Sequence, residues 1–373
     1  MSGIYIHIPF CKQACTYCDF HFSTNLSKKE DMIRAIAAEL YHRKTESQDV
    51  VETIYFGGGT PSVLSVAEIN FLIEAVYANY TVSADPEITV EANPDDLTSE
   101  KINQFSQTKI NRLSVGVQSF FDADLKLMNR AHNASEALKS IEGSVRLFPN
   151  ITIDLIYGIP GMSNERWRHN VQTAIDLGVP HISAYALTVE PKTALKKLIE
   201  NGKVIAPRDE VAENHFHILR EMLEANGFIQ YEISNFGKPG YFSRNNSAYW
   251  LGKRYIGVGP SAHSYDGKHR SWNVANNSFY LKGIASGKPV FEREVLSAAD
   301  RYNEYVMTGL RTIWGVSIDK IKTEFGIVFS EHLLRQSHRF VNQGFLVWED
   351  EVLKATPAGK FLTDGLASDL FMV

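Results

Sequence analysis

Cysteine is nearly absent from this chain of 373 residues: there are three, Cys11, Cys15 and Cys18, all inside one stretch of eight. An odd, clustered set disfavours a disulfide framework and leaves reduced thiols free to hold metal. Long hydrophobic runs are missing too. No run of about 18 apolar residues occurs, so no membrane-spanning helix is expected. An excess of basic charge is also lacking: 38 Lys and Arg face 43 Asp and Glu, a net charge of −5. That balance argues against a general polyanion-binding surface, and no nucleic-acid partner is expected. The opening residues run from Met1-Ser2-Gly3 straight into Ile4-Tyr5-Ile6-His7-Ile8. They are too short and uncharged for a secretory leader, and the cytoplasm is the expected compartment. Neither an internal repeat nor a low-complexity segment is found.

What is present is a globular chain, 44% hydrophobic, with ample material for a core. Its first two-thirds alternates β-rich runs with stretches of helical period. Ile4–Pro9, Thr53–Phe56, Ile88–Glu91, Arg112–Val117, Ile151–Ile156 and His181–Leu187 read as strands. Ser27 with Glu30 and Ser65 with Glu68 read as capping boxes at helix starts. Six βα units in succession predict an α/β fold with parallel strands, closed or partly closed into a barrel. A doubly wound open sheet gives the same string, and periodicity does not separate the two. After about Pro289 the pattern changes. Ser297–Trp314 and Glu331–Asn342 read as helices, and Gly344–Trp348 and Val352–Ala355 as a hairpin turning at Glu349-Asp350. A last helix follows Pro357. The expected division is therefore a barrel domain over 1–289 and a winged-helix-like domain of helices and a β-hairpin over 290–373. A structural cap on the barrel is favoured for the latter over nucleic-acid binding.

The cysteines are spaced C-x3-C-x2-C. Three thiolates on one loop can hold three irons of a [4Fe–4S] cubane and leave the fourth iron open. An open iron is what S-adenosylmethionine (SAM) needs, because its amino and carboxylate groups fill the vacant positions. The cofactors bring the chemistry and the protein supplies orientation and exclusion of solvent. A zinc knuckle needs a fourth ligand; His21 is the nearest donor, and nothing pairs with it. A ferredoxin site needs a fourth Cys, which does not exist. The loop follows the first strand at its C-terminal end, where barrel sites are built. Tyr17, just before Cys18, is placed to shield the cluster; core filling is its ordinary alternative.

Other unusual residues fall after later strands. Gly57-Gly58-Gly59-Thr60-Pro61 follows Phe56, and its glycines let backbone approach a ligand closely, here the SAM ammonium group; an ordinary tight loop is the plain alternative. Glu91 ends the third strand, Gln118 follows the fourth and Asp154 sits within the fifth. Each is a polar residue among apolar ones, costly to bury without a partner. Arg130 offers a fork of donors to the SAM carboxylate, with a surface salt bridge as its alternative.

Taken together, Tyr5-Ile6-His7-Ile8-Pro9-Phe10-Cys11 with Cys15 and Cys18, Gly57–Pro61, Gly116–Ser119 and Ile153–Pro160 resemble the HemN/HemW branch of radical SAM proteins. The likeness continues in Gly257-Val258-Gly259-Pro260-Ser261-Ala262-His263-Ser264. The resemblance implies a partial (β/α)6 radical SAM barrel with a C-terminal winged-helix-like domain. It implies SAM contacts at Tyr5, Gly58, Glu91, Gln118, Arg130 and Asp154. Contacts to a second SAM, found in the coproporphyrinogen dehydrogenase members, would fall on Tyr17, Gly59, Thr60, Ala186 and His263, with His263 in place of an apolar residue.

Two features separate the subgroups. The dehydrogenases resemble C-x3-C-x2-C-x-C, and the position of their fourth Cys is Phe20 here. They also carry a long N-terminal extension, whereas Tyr5 stands almost at the start of this chain. Both features imply the haem-chaperone subgroup, which binds haem and delivers it to haem proteins. An oxygen-independent coproporphyrinogen III dehydrogenase of porphyrin metabolism is the alternative, and no residue is assigned a catalytic role. An RNA-modifying radical SAM enzyme is a third, weaker reading from the winged-helix-like tail alone. A membrane surface met peripherally and a second copy of the chain complete the expected partners. The chaperones carry a motif of the form H-N-x-x-Y-W; here it reads Asn245-Asn246-Ser247-Ala248-Tyr249-Trp250. An amide does not ligate iron as imidazole does. The expectation is therefore another ligand, or haem stacked on Tyr249 and Trp250.

Overall fold

The computed structural model describes residues 2–288 and 291–373. Six strands set the frame: β1 (Ser2–Ile8), β2 (Val51–Gly58), β3 (Val82–Ala92), β4 (Arg112–Gln118), β5 (Ile151–Tyr157) and β6 (His181–Ala186). They pair in chain order, each parallel to the next. A doubly wound sheet would reverse its order at a switch point; this one does not, and the barrel reading is the right one. The helices between the strands are α1 (Lys29–His42), α2 (Val66–Asn79), α3 (Ser99–Ser106), α4 (Asp122–Leu127), α5 (Ala134–Val145) and α6 (Asn164–Asp176).

Strands covered by helices on one face and by the barrel interior on the other should be buried at nearly every residue. β4 is buried at all of its positions. In β1, Ile4, Ile6 and Ile8 share one core with Met32 and Ile36 of α1 and Leu72 and Val76 of α2. Tyr5 and His7 alternate to the opposite face, as the two-residue period requires.

The barrel stays open. After α7 (Ala194–Glu200) and α8 (Asp209–Ala225), β7 (Ile229–Glu232) and β8 (Asn235–Gly237) add an antiparallel pair beyond β6. The chain then crosses back through α9 (Arg244–Trp250). On the far side of β1 it lays down β9 (Arg254–Val258), β10 (His263–Tyr265), β11 (His269–Asn273), α10 (Asn277–Ala285) and β12 (Phe291–Val295). Among the described residues this makes one sheet in the order β12-β11-β10-β9-β1-β2-β3-β4-β5-β6-β8-β7.

A second core follows. α11 (Ala298–Leu310), β13 (Val316–Ser317), α12 (Ile318–Phe325), α13 (Ile327–Asn342), β14 (Leu346–Glu349), β15 (Val352–Ala355) and α14 (Thr363–Ser368) enclose Tyr302, Val306, Leu310, Ile321, Leu333 and Leu353. The three strands pair as β13-β15-β14. The expected boundary between 289 and 290 lies outside the described residues. Among the described residues no helix is long and apolar enough to cross a membrane.

Two local readings change. The Ser65–Glu68 capping box is present, but the Ser27–Glu30 box is not: α1 starts from Lys28 without a side-chain cap. The amide of Ser27 is already taken by Asn25 Oδ1 at 2.9 Å, and Glu30 turns to Arg34. The hairpin turns one residue later than expected, at Asp350 and Glu351, whose φ of 45° and 65° are what a tight two-residue turn requires.

Candidate cluster and cofactor site

β1 ends by delivering the chain to a loop that carries all three cysteines. Cys11 is buried, while Cys15 and Cys18 are partly exposed. The three thiols lie close enough for Cys15 and Cys18 each to act on the acidity of Cys11. Neighbouring loops grip this one from two sides. From β2, the amides of Gly59 and Thr60 donate to Ile8 O at 2.9 Å and Phe10 O at 2.7 Å, and the Thr60 hydroxyl reaches Cys11 Sγ at 3.4 Å. From the turn after α4, Met128 O accepts from the Thr16 amide at 3.0 Å and Asn129 Nδ2 donates to Ala14 O at 2.8 Å. Asn129 adopts a left-handed φ of 53°, a conformation asparagine tolerates. Burial pushes the Cys11 thiol up to about 11, against the Thr60 hydroxyl and Arg130. Binding iron there must displace protons.

Arg130 is the hub. Its Nη1 donates to Cys15 Sγ at 3.3 Å and lies 3.4 Å from the Tyr17 hydroxyl; its Nη2 donates to Asn93 Oδ1 and Gly116 O, both at 2.7 Å. The remaining donor, Nε, is buried and has no partner. Among the described residues the guanidinium makes no carboxylate ion pair, so the surface salt bridge is excluded. Gln118, at the end of β4, holds a left-handed φ of 66°, a strain characteristic of sites rather than of plain strands. Its amide lies over Gly116, where a Cβ would meet Gln118 Nε2 at 2.9 Å and Arg130 Nη2 at 3.2 Å.

Deeper in the barrel are two buried carboxyls, Glu91 and Asp154, the second near enough to act on the first. The Tyr55 hydroxyl donates to Glu91 Oε1 at 2.7 Å. Burial, with Asp154 nearby, raises Glu91 to about 7 against the Tyr55 hydroxyl and the Gly58 amide. Burial also raises Asp154 to about 6, although Arg112 and Arg130 pull it down. Tyr5 stacks on Tyr55 with ring centroids 6.1 Å apart, and its hydroxyl lies 3.3 Å from His7 Nδ1. Tyr185 is 43% exposed although Asp154, Glu232 and Glu91 all act on it. Ser183, two residues before it, pairs with Asp154 across the strands, so Tyr185 shares the face of β6 that looks onto these carboxyls.

The glycine run serves more than a ligand. A Cβ on Gly59 would stand 2.5 Å from Phe10 O, and one on Gly58 would meet the His7 ring at 2.6 Å. Both glycines are needed for β2 to close on β1. A Cβ on Gly57 would instead meet Tyr5, Tyr55 and Glu91, so this glycine keeps the interior open. Of the remaining candidates, Ala186 ends β6, the last of the six parallel strands, and His263 begins β10, two strands beyond β1. The His263 ring stacks on Trp272 at 5.9 Å. Phe20 is 70% exposed beside the loop.

Asn245 is not at the mouth at all. It is buried, accepting from the Thr53 hydroxyl at 3.1 Å, and its amide donates to Glu87 Oε1 at 3.0 Å. These partners lie toward the N-terminal ends of β2 and β3, in a polar layer that continues through Arg112, Thr152, His181 and Tyr231. Sequence reasoning missed Asn93, Thr16 and Asn129, which fix Arg130 and the loop. Each is a polar residue in a turn, and the Asn-Pro step at Asn93-Pro94 was the one available signal.

The model of the radical SAM superfamily matches residues 5–174, and that of the HemN C-terminal domain matches residues 296–362. The chain is 36% identical over 332 residues to the heme chaperone HemW of Bacillus subtilis, covering 87% of each chain. It is 34% identical over 376 residues to the heme chaperone HemW of Lactococcus lactis, covering 98% of each. Among solved structures, coproporphyrinogen III oxidase (HemN) from Escherichia coli, a radical SAM enzyme, superposes with a TM-score of 0.86. That match covers 99% of this chain and 90% of the other at 21% identity, and it bears on the fold alone.

Proposed function

The chain belongs to the HemW family of radical SAM proteins, and on that premise we propose that it binds haem and hands it to haem proteins, with a [4Fe–4S] cluster and SAM held in the partial barrel. The resident groups fit the residues present. Three thiols sit on one loop, and the nearest cation keeps one buried donor, Arg130 Nε, unspent. A buried donor without a partner is costly, and a ligand carboxylate would satisfy it.

In this reading Cys11, Cys15 and Cys18 hold three irons. Arg130 and Gln118 receive the carboxylate of SAM, and the backbone at Gly58 with Glu91 receives its ammonium group. Tyr5 and Asp154 line the space for the rest of the molecule. When bound, the pair supplies a sulfonium that one electron can cleave; the residues here orient it and keep water away. The positions assigned to a second SAM divide. The Thr60 hydroxyl is directed to Cys11 and Tyr17 faces Arg130, which favours roles at the cluster, leaving Gly59, Ala186 and His263 for any further molecule. A cytoplasmic setting, where thiols stay reduced, completes the reading.

Similarity to HemW relatives over nearly the whole chain, at 34% identity, is the observation that carries the haem part. Anaerobic reconstitution of the cluster followed by haem titration tests it. A Soret band that saturates, with no protoporphyrinogen IX formed from coproporphyrinogen III under reducing conditions, is the expected result. Absence of haem uptake overturns the proposal, and formation of protoporphyrinogen IX replaces it with the dehydrogenase reading.

A further inference from the structure

Between the barrel and the C-terminal unit lies a cleft of about 700 Å³, within the range of pockets that enclose small ligands. Its walls differ in origin and agree in character. On the barrel side Tyr249, Tyr255 and Tyr265 form a ladder, with ring centroids 4.5 Å and then 6.4 Å apart. On the other side Tyr305 of α11 and Phe325 of α12 lie ring to ring at 6.5 Å. An ion pair between Arg270 of β11 and Glu304 of α11 spans the gap.

Two cations stand on the far wall. The Arg301 guanidinium lies 5.6 Å over the Phe325 ring, and Lys320 Nζ lies 4.3 Å over the Tyr305 ring. Among the described residues neither is in an ion pair. Burial and Glu304 raise the Tyr265 pKa, and Arg301, across the cleft, is near enough to act against them. Aromatic walls on both sides with two uncommitted cations suit a flat apolar ring system carrying two carboxylates. A phosphate ligand is less well served. The N-terminus of α11 is closed by its own Ser297–Asp300 capping box and that of α12 by Ser317, so these two helix ends do not present uncapped termini to a phosphate.

We propose that this cleft is the seat of the haem, with the macrocycle between the tyrosine ladder and the Tyr305–Phe325 wall and its propionates on Arg301 and Lys320. The assignment rests on the haem-binding reading given above and names its site. On α9 the Tyr249 ring lines the cleft while its hydroxyl turns back to the side chain of Asn245, which is held in the barrel floor by Thr53.

The test uses the full chain with its cluster rebuilt, titrated anaerobically with haemin and followed in the Soret region. The double variant Arg301→Glu/Lys320→Glu is expected to weaken haemin binding at least about tenfold, with iron content and far-ultraviolet circular dichroism unchanged. As a probe that needs no variant, haemin dimethyl ester, whose propionates are blocked, is expected to bind the wild type at least about tenfold more weakly than haemin. Wild-type binding that neither the variant nor the ester weakens overturns the site and leaves the chaperone reading standing. No haemin binding by the wild type overturns the chaperone reading itself.

Discussion

Arg130 and Cys15 are 115 residues apart in sequence and 3.3 Å apart in space, joined by a hydrogen bond from Nη1 to Sγ. That contact ties the turn after α4 to the cluster loop, and the same guanidinium holds Asn93 and the end of β4. Lysine carries the charge but not the fork and cannot reach four acceptors at once. Arg130→Lys is expected to keep cluster iron near the wild-type level and to weaken SAM binding about tenfold or more. Anaerobic equilibrium dialysis with SAM measures it, and unchanged affinity would remove Arg130 from the site.

The carboxyls of Glu91 and Asp154 make stability fall with pH. Burial raises them to about 7 and about 6, above their unfolded values, so the folded chain binds more protons than the unfolded one across this window. Stability then declines as pH rises from about 4 through the folded pKa values. Without SAM, the protein is expected to melt at a lower temperature at pH 8 than at pH 5.5. Glu91→Gln should flatten that dependence and raise the melting temperature at pH 8. A variant with the wild-type slope would contradict the assignment.

Gly59 is a steric requirement. A Cβ there stands 2.5 Å from Phe10 O, a backbone atom that cannot swing aside, and the next residue is Cys11. Gly59→Ala is expected to cost about 1–3 kcal/mol of stability and to lower the iron retained after reconstitution. Denaturant titration and iron assay check both, and a silent substitution would show that the loop yields more readily than its hydrogen bonds imply.

Asn245→His, the exchange that restores the chaperone motif, is expected to do harm. The side chain is buried against Thr53, and an imidazole there loses a fitted partner at a cost of about 1–3 kcal/mol. Haem affinity should not tighten. Calorimetric melting and Soret titration of the pair of proteins decide it; a tighter, histidine-ligated spectrum would reopen position 245 as a ligand.

The six parallel strands were legible because each is a run of buried apolar residues, as in Leu113, Val115 and Val117 or Ile151, Ile153 and Leu155. The stretch from α7 to β12 was not. Its strands are as short as Asn235–Gly237, or as exposed as Phe291–Val295, and pairing with a finished sheet rather than periodicity makes them strands. At the site, cysteine spacing announced the loop, and Glu91, Gln118 and Asp154 stood out as polar breaks in apolar strands. What holds them came from turns far away in sequence: Asn93, Asn129 and the backbone of Gly116. The glycine run was read as ligand-facing, yet Gly58 and Gly59 answer first to His7 and Phe10. The Ser27–Glu30 pattern misled because Asn25 and Arg34 compete for its members.

Electron paramagnetic resonance of the reduced, reconstituted protein with and without SAM tests the account most directly. A [4Fe–4S] signal that shifts when SAM is added, in the wild type but not when Arg130→Ala removes the fork, is the predicted result. A signal indifferent to SAM in the wild type, or a cluster that assembles equally well after Cys15→Ala, would contradict a three-thiolate site with one open iron.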